Sequence, residues 1–234
     1  MLELQIDGRA SGHPILGAIT ARVAEGDRIC LLGPSGIGKT TLLNGIAGLD
    51  RRLSERMIKR SRNLRVGYLF QEHRLLPWRS VRQNLAMVGA RTDEIDRLLA
   101  QVGLADVAEA LPDQLSLGMA RRAALARSLA IKPDLLLLDE PFASLDPDRA
   151  AELRNLITQL LDAHPRMAMI CVTHDARDAD QLANRLWYLD GAPAELQWDQ
   201  PLTALASASA SASQISEQLR HLSACKRSPL LVDG

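Results

Sequence analysis

Arg28-Ile-Cys-Leu-Leu-Gly33-Pro-Ser-Gly36-Ile-Gly38-Lys39-Thr40-Thr41 is the stretch whose reading decides the fold. Arg28–Leu32 is a short apolar run, the length of a buried strand. It leads straight into a loop of small residues, after which Leu42, Leu43 and Ile46 recur at helical spacing until Gly48. Strand, glycine-rich loop and helix, in that order, form the context in which G-x-x-x-x-G-K-[ST] binds phosphate. Small residues let successive backbone N–H groups turn inward around a β-phosphate. The expected contacts therefore run through Gly33, Pro34, Ser35, Gly36, Ile37, Gly38, Lys39, Thr40 and Thr41. Lys39 should reach the β- and γ-phosphates, and the Thr40 hydroxyl should face Mg²⁺. The start of the helix adds a partial positive charge.

Working outward, residues 2–6 alternate apolar and polar, which predicts an edge strand, and residues 19–23 predict a second strand. Further strands are predicted at 65–70, 135–138, 167–172, 185–189 and 194–198. Helical spacing marks 81–88, 93–102, 116–130, 147–163 and 175–183, the fourth with Pro147 in its first turn. Strands alternating with helices predict an α/β fold with a largely parallel sheet. The block from about 77 to 127 has no strand of its own and reads as an inserted α-helical subdomain. From residue 201 the chain turns to Ala/Ser repeats, a low-complexity tail extending to 234.

The four leucines 135–138 are followed by Asp139-Glu140, so an apolar strand ends in carboxylates at the sheet edge where α/β proteins bind ligands. Asp139 is suited to hold Mg²⁺ and Glu140 to polarise an attacking water. Lys plus Arg, 28, equals Asp plus Glu, 28, which removes any strong electrostatic drive toward nucleic acid or anionic lipid. No apolar run reaches the length of a spanning helix. The first twelve residues lack the basic-then-apolar pattern of a signal peptide. Cys30, Cys171 and Cys225 have neither CxxC nor metal-type spacing, and the first two lie in strand-like runs that predict buried, unreactive thiols.

Beyond the phosphate loop, Leu115-Ser-Leu-Gly-Met119 resembles the LSGGQ signature of the ABC ATPases, at the spacing from Asp139-Glu140 characteristic of that family. Ser144-Leu145-Asp146 resembles its D-loop, Thr173-His174-Asp175 its switch-histidine segment, and Gln71 its Q-loop glutamine. The resemblance runs from about residue 2 to residue 198, with all segments in family order. It implies a P-loop NTPase (RecA-like) core with an antiparallel β edge, in a domain spanning about 1–200, and ATP and Mg²⁺ as cofactors. It also implies a head-to-tail homodimer in which the phosphate loop of one chain faces Ser116 and Gly118 of its partner, with Asp146 beside the nucleotide. Glu140, His174, Gln71 and Lys39 are the implied catalytic residues; Thr40, Gln71 and Asp139 are the implied metal ligands. The implied setting is peripheral, on the cytoplasmic face of the membrane, with an integral-membrane permease docking near residues 71–79, a solute-binding protein as indirect partner, and no nucleic acid.

Residues 71–79, with LLPW at their centre, resemble the importer ATPases for nitrate, sulfonates and taurine. Leu75, Leu76 and Trp78 then read either as apolar anchors for the permease or as buried loop anchors. Departures from the family pattern are Leu117 in place of glycine, Met119 in place of glutamine, and no aromatic residue in 9–13 to stack on a base. The segment between Gly48 and Val66 is short, and Arg51, Arg52, Arg56, Arg60 and Arg62 predict a solvated basic face. These departures keep two alternatives open: a degenerate nucleotide-binding assembly subunit and a non-transport ABC ATPase. The carried solute is not legible in a motor subunit.

Overall fold

Among residues 1–7, 15–53 and 56–202, which the computed structural model of this chain describes, strands and helices alternate much as the apolar pattern predicts. In chain order they are β1 (Leu2–Asp7), β2 (Ala18–Val23), β3 (Arg28–Leu32), α1 (Lys39–Ile46), β4 (Ile58–Arg60) and β5 (Val66–Leu69). Next come α2 (Val81–Ala86), α3 (Thr92–Gln101), α4 (Leu117–Ala130), β6 (Leu135–Asp139) and α5 (Pro147–Ala163). β7 (Ala168–Val172), α6 (Ala176–Leu182), β8 (Arg185–Asp190) and β9 (Glu195–Pro201) complete the series. Residues 9–13 and the tail beyond residue 202 lie outside the described residues.

A six-stranded sheet has the order β5-β6-β7-β3-β8-β9, parallel throughout except for β9, which pairs antiparallel with β8. β6 and β7 are buried at every position, as parallel strands covered on both faces must be. Successive side chains point to opposite faces, and each strand feeds two cores. Ile29, Leu31, Leu135, Leu137, Ile170 and Val172 pack against α1 and the antiparallel sheet β2-β1-β4. Their neighbours Cys30, Leu32, Leu136, Leu138, Met169 and Cys171 pack with α5, α6 and the helices α2–α4. Cys30 and Cys171 are buried and free, paired across β3 and β7; their mutual hydrogen bond, then burial, pushes the Cys171 thiol well up.

Two expectations change. β1 is not an edge strand: it lies between β2 and β4. Three-residue β4 escapes the period-2 test because only Ile58 is buried, opposite Leu4. The basic face also loses a member. Arg51, Arg52, Arg56 and Arg62 are exposed, but Arg60 donates to the carbonyls of Gly45 (2.7 Å) and Ile46 (3.0 Å), satisfying the end of α1.

No strand occurs between β5 and β6 among the described residues. α2 opens with a capping box between Ser80 and Gln83. Buried Asn84 accepts from the Leu76 N–H (2.8 Å) and donates to the carbonyls of Leu76 (3.2 Å), Arg79 (3.0 Å) and Ser80 (3.0 Å), which pins the loop ahead of α2.

Candidate active site

The loop between β3 and α1 depends on glycine at two positions. A Cβ on Gly33, at φ 150°, would lie 2.3 Å from the Leu189 carbonyl oxygen, and one on Gly38, at φ 113°, would lie 2.7 Å from the Ile15 side chain. The chain thus wraps tightly while the tip, Pro34, Ser35 and Gly36, stays exposed; Ile37 and Thr41 are half-buried. The Lys39 ammonium bends back to the carbonyls of Gly33 (2.8 Å) and Pro34 (2.9 Å). Burial pushes the Lys39 ammonium below its ordinary range, and the nearby carboxylates of Glu140 and Asp139 oppose that shift.

Parallel pairing of β5, β6 and β7 brings the second part of the site beside the loop. The Thr40 hydroxyl donates to Asp139 Oδ1 at 3.0 Å. The Tyr68 hydroxyl lies 3.2 Å from Asn44 Oδ1 and 3.5 Å from Asp139 Oδ2. Burial raises the Asp139 carboxyl above its usual range, against the pull of the Thr40 hydrogen bond, and burial likewise drives the Tyr68 phenol up. Thr40 and Asp139 present hard oxygen donors side by side, the donor type Mg²⁺ takes. Among the described residues no group of three or more His, Cys, Asp or Glu could hold a metal. Thr40 and Asp139 fit an ion completed by phosphate oxygens and water.

Glu140 sits at φ 47° and Ser144 at φ 63°, both in the left-handed region that side chains disfavour. The Glu140 N–H donates to the Val172 carbonyl (3.0 Å), which ties this turn to the end of β7. Gln71, Glu140, Ser144 and His174 line one cleft of about 500 Å³. A larger cavity, about 1080 Å³, opens at the starts of β5–β7 and contains none of the predicted site residues. Ser116 is exposed and caps α4, accepting from the Met119 N–H (3.3 Å); Leu117 beside it is 44% exposed. Ser116 and Gly118 do not line the cleft of their own chain. Asp146 is exposed and caps α5 through the Arg149 N–H (3.0 Å).

Of the three apolar residues in 71–79, only one faces solvent. Leu75 is buried in the core, Leu76 is half-buried, and Trp78 is 70% exposed.

Several contributing residues escaped the sequence reading. Tyr68 braces Asp139 from the neighbouring strand. Buried Arg154 of α5 pairs with buried Asp178 of α6 at 3.2 Å, and Asp178 accepts from the Thr173 hydroxyl. The Thr173 hydroxyl in turn accepts from the Asp175 N–H (3.1 Å), so the turn holding His174 rests on an internal ion pair. Burial pushes the Asp178 carboxyl up, and Arg154 is among the groups pulling it back. Arg121 of α4, also buried, donates to the carbonyls of Glu140 (2.8 Å), Pro141 (3.0 Å) and Ala143 (3.1 Å). Arginine reads as a surface residue in a sequence; its acceptors here lie about twenty positions away and have no residue type to betray them.

A protein-family model described as "ABC transporter" matches residues 16–143. The aliphatic sulfonates import ATP-binding protein SsuB 2 of Burkholderia cenocepacia (strain HI2424) is 44% identical over 199 residues, covering 81% of this chain and 73% of that protein. The protein of the same description from Pseudomonas syringae pv. tomato is 37% identical over 205 residues, covering 86% and 87%. Among solved structures, the dimeric post-hydrolysis state of the ATP-binding cassette MJ0796, bound to ADP and Pi, aligns with a TM-score of 0.70 at 24% identity. That alignment covers 86% of this chain and 99% of that one, a shared fold.

Proposed function

Since the chain belongs to the ABC transporter family, as an ATP-binding and ATP-hydrolysing subunit, we propose that it energises an importer of aliphatic sulfonates. The solute class rests on the names carried by the relatives just described. The observation that carries the enzymatic part of the reading is the convergence of Lys39, Thr40, Asp139 and Glu140 where β3 and β6 end. An assembly subunit without turnover would not require that set, so degeneracy is not the favoured reading.

In this reading the loop N–H groups and the start of α1 cradle the phosphates. Lys39 exchanges its loop carbonyls for phosphate oxygens. Thr40 and Asp139, with Gln71, hold Mg²⁺, which neutralises charge on the phosphates when bound. Glu140 polarises the attacking water, and His174, steadied by the Thr173–Asp178–Arg154 network, contacts the γ-phosphate. Each nucleotide is closed over by Ser116 and Gly118 of a second copy arranged head to tail, with Asp146 at the seam.

Residues 1–200 act as the ATPase domain, residues 77–127 as its helical subdomain, and 201–234 as an appended tail. A permease docks beside Trp78, whose exposed ring sits on the loop that Asn84 pins, and a solute-binding protein joins through the permease. No helix among the described residues is long and apolar enough to cross a membrane. In this reading the chain works from a peripheral station on the cytoplasmic face, beside the permease.

The test is Glu140→Gln beside the parent chain, each alone and reconstituted with a sulfonate permease and its binding protein. The parent should hydrolyse ATP faster when sulfonate-loaded binding protein is present. The variant should bind ATP, form a stable dimer on size exclusion and lose turnover about 100-fold or more. Equal turnover of the two proteins would overturn the assignment of Glu140. Hydrolysis indifferent to sulfonate would overturn the solute class alone.

A further inference from the structure

α4 is capped by Ser116, and its fifth residue, Arg121, is turned inward. The Arg121 guanidinium is 4% exposed and makes its hydrogen bonds to backbone carbonyls: Nη1 to Glu140 and Pro141, Nη2 to Ala143. Its buried Nε has no hydrogen-bond partner. Burying a cation is costly, and burial pulls this guanidinium below its ordinary range, a shift the Glu140 carboxylate opposes. Three carbonyls therefore hold the group in one geometry, because a planar fork is satisfied only when its acceptors stay in place.

The carbonyls it holds belong to the turn from Glu140 to Ser144, which begins and ends with left-handed φ values. Within that turn the Glu140 carbonyl also accepts from the Ala143 N–H (3.2 Å), and two residues beyond Ser144 the chain reaches Asp146. Such a turn persists only where its surroundings over-determine it, and Arg121 is the group from another element that fixes three of its carbonyls. Any shift of α4 along its axis is thus passed to the backbone of Glu140.

We propose that Arg121 is a positioning residue that couples the two ATP sites of the dimer, by tying the helix that caps the partner's nucleotide to the turn that carries its own chain's Glu140. This rests on the head-to-tail arrangement proposed above. In that arrangement Ser116 reports on the phosphate bound by the other chain, while Glu140 serves the phosphate bound by its own. A guanidinium rigidly linking them makes the closure of one site a condition for the alignment of the other. The link runs both ways, as any equilibrium coupling between sites must.

A mixed dimer tests this. Combining Lys39→Ala chains with Ser116→Arg chains leaves one intact site per mixed pair, built from the phosphate loop and Glu140 of the Ser116→Arg chain and from Ser116 of the Lys39→Ala chain. That mixture should turn over ATP although neither protein does so alone. Arg121→Gln is then added to one chain or to the other, with Arg121→Lys as the variant that keeps charge but not the fork. Thermal melting and ATP binding to each separate chain check folding.

Coupling predicts that Arg121→Gln slows the intact site from either chain, about 2- to 30-fold, the range seen for residues along coupling networks. Arg121→Lys should recover only part of the loss. A residue that merely shapes its own turn would slow turnover only on the chain that supplies the working Glu140. That outcome, or no loss from either placement, overturns the proposal. No turnover in the parent mixture would remove the head-to-tail reading itself, and the coupling with it.

Discussion

Asp139 occupies a place that disfavours ionisation. It is 2% exposed, and its carboxyl is raised chiefly by burial despite the Thr40 hydroxyl. A carboxyl whose folded pKa lies above its unfolded value loses stability as pH climbs from the unfolded value through the folded one. Above both values the full cost is present, while below both it vanishes. Asp139→Asn keeps the hydrogen bonds available: the amide oxygen accepts from Thr40, and the amide nitrogen donates to Tyr68, which still donates to Asn44. The nucleotide-free variant should melt about 2–4 °C higher near pH 7, the shift that ~1 kcal/mol gives in a domain of this size. The gain should fade as the buffer is taken toward pH 3. Differential scanning calorimetry across that range checks both parts, and a variant that melts lower at neutral pH would show that the charge is better compensated than burial implies. The same position illustrates what a sequence conveys. A leucine run ending in Asp-Glu announces itself, whereas Tyr68 and Arg121 become part of the site only through the third dimension.

At the scale of elements, the phosphate loop was legible because all its requirements are local: a buried strand before it, small residues within it, a periodic helix after it. β4 was not legible, since three residues pair with β1 on the strength of one buried isoleucine. Loop glycines also differ in what they demand, which substitution separates. Gly33→Ala would place a methyl against the Leu189 carbonyl in addition to its backbone strain and should cost about 2–4 kcal/mol. Gly36→Ala meets nothing within 4 Å at φ 75° and should cost only ~1 kcal/mol. Urea unfolding of the two variants measures the difference; equal midpoints would mean that β8 yields to the added methyl.

Across the whole molecule, strands alternating with helices foretold a largely parallel sheet, and the order of motifs foretold an ATPase. What stayed hidden was which side chains meet. Leu75 and Trp78, three positions apart in one motif, end up in the core and in solvent respectively. Ser116 and Gly118 do not line their own chain's cleft, and in the proposed head-to-tail arrangement they complete the site of a second copy. Specific ATPase activity per chain should accordingly rise with protein concentration and level off once dimers dominate. A flat profile across dilutions that include the monomer, measured at saturating ATP and Mg²⁺, would speak for a self-sufficient chain.

Helix α1 shows a last consequence. Its beginning forms the end of the phosphate loop, and its final carbonyls are gripped by Arg60 from the separate three-stranded sheet. Short as it is, the helix behaves as a strut clamped at its rear. Whatever pulls on its front when a triphosphate arrives is borne by β4, and the recoil is spread into the antiparallel layer rather than absorbed by bending.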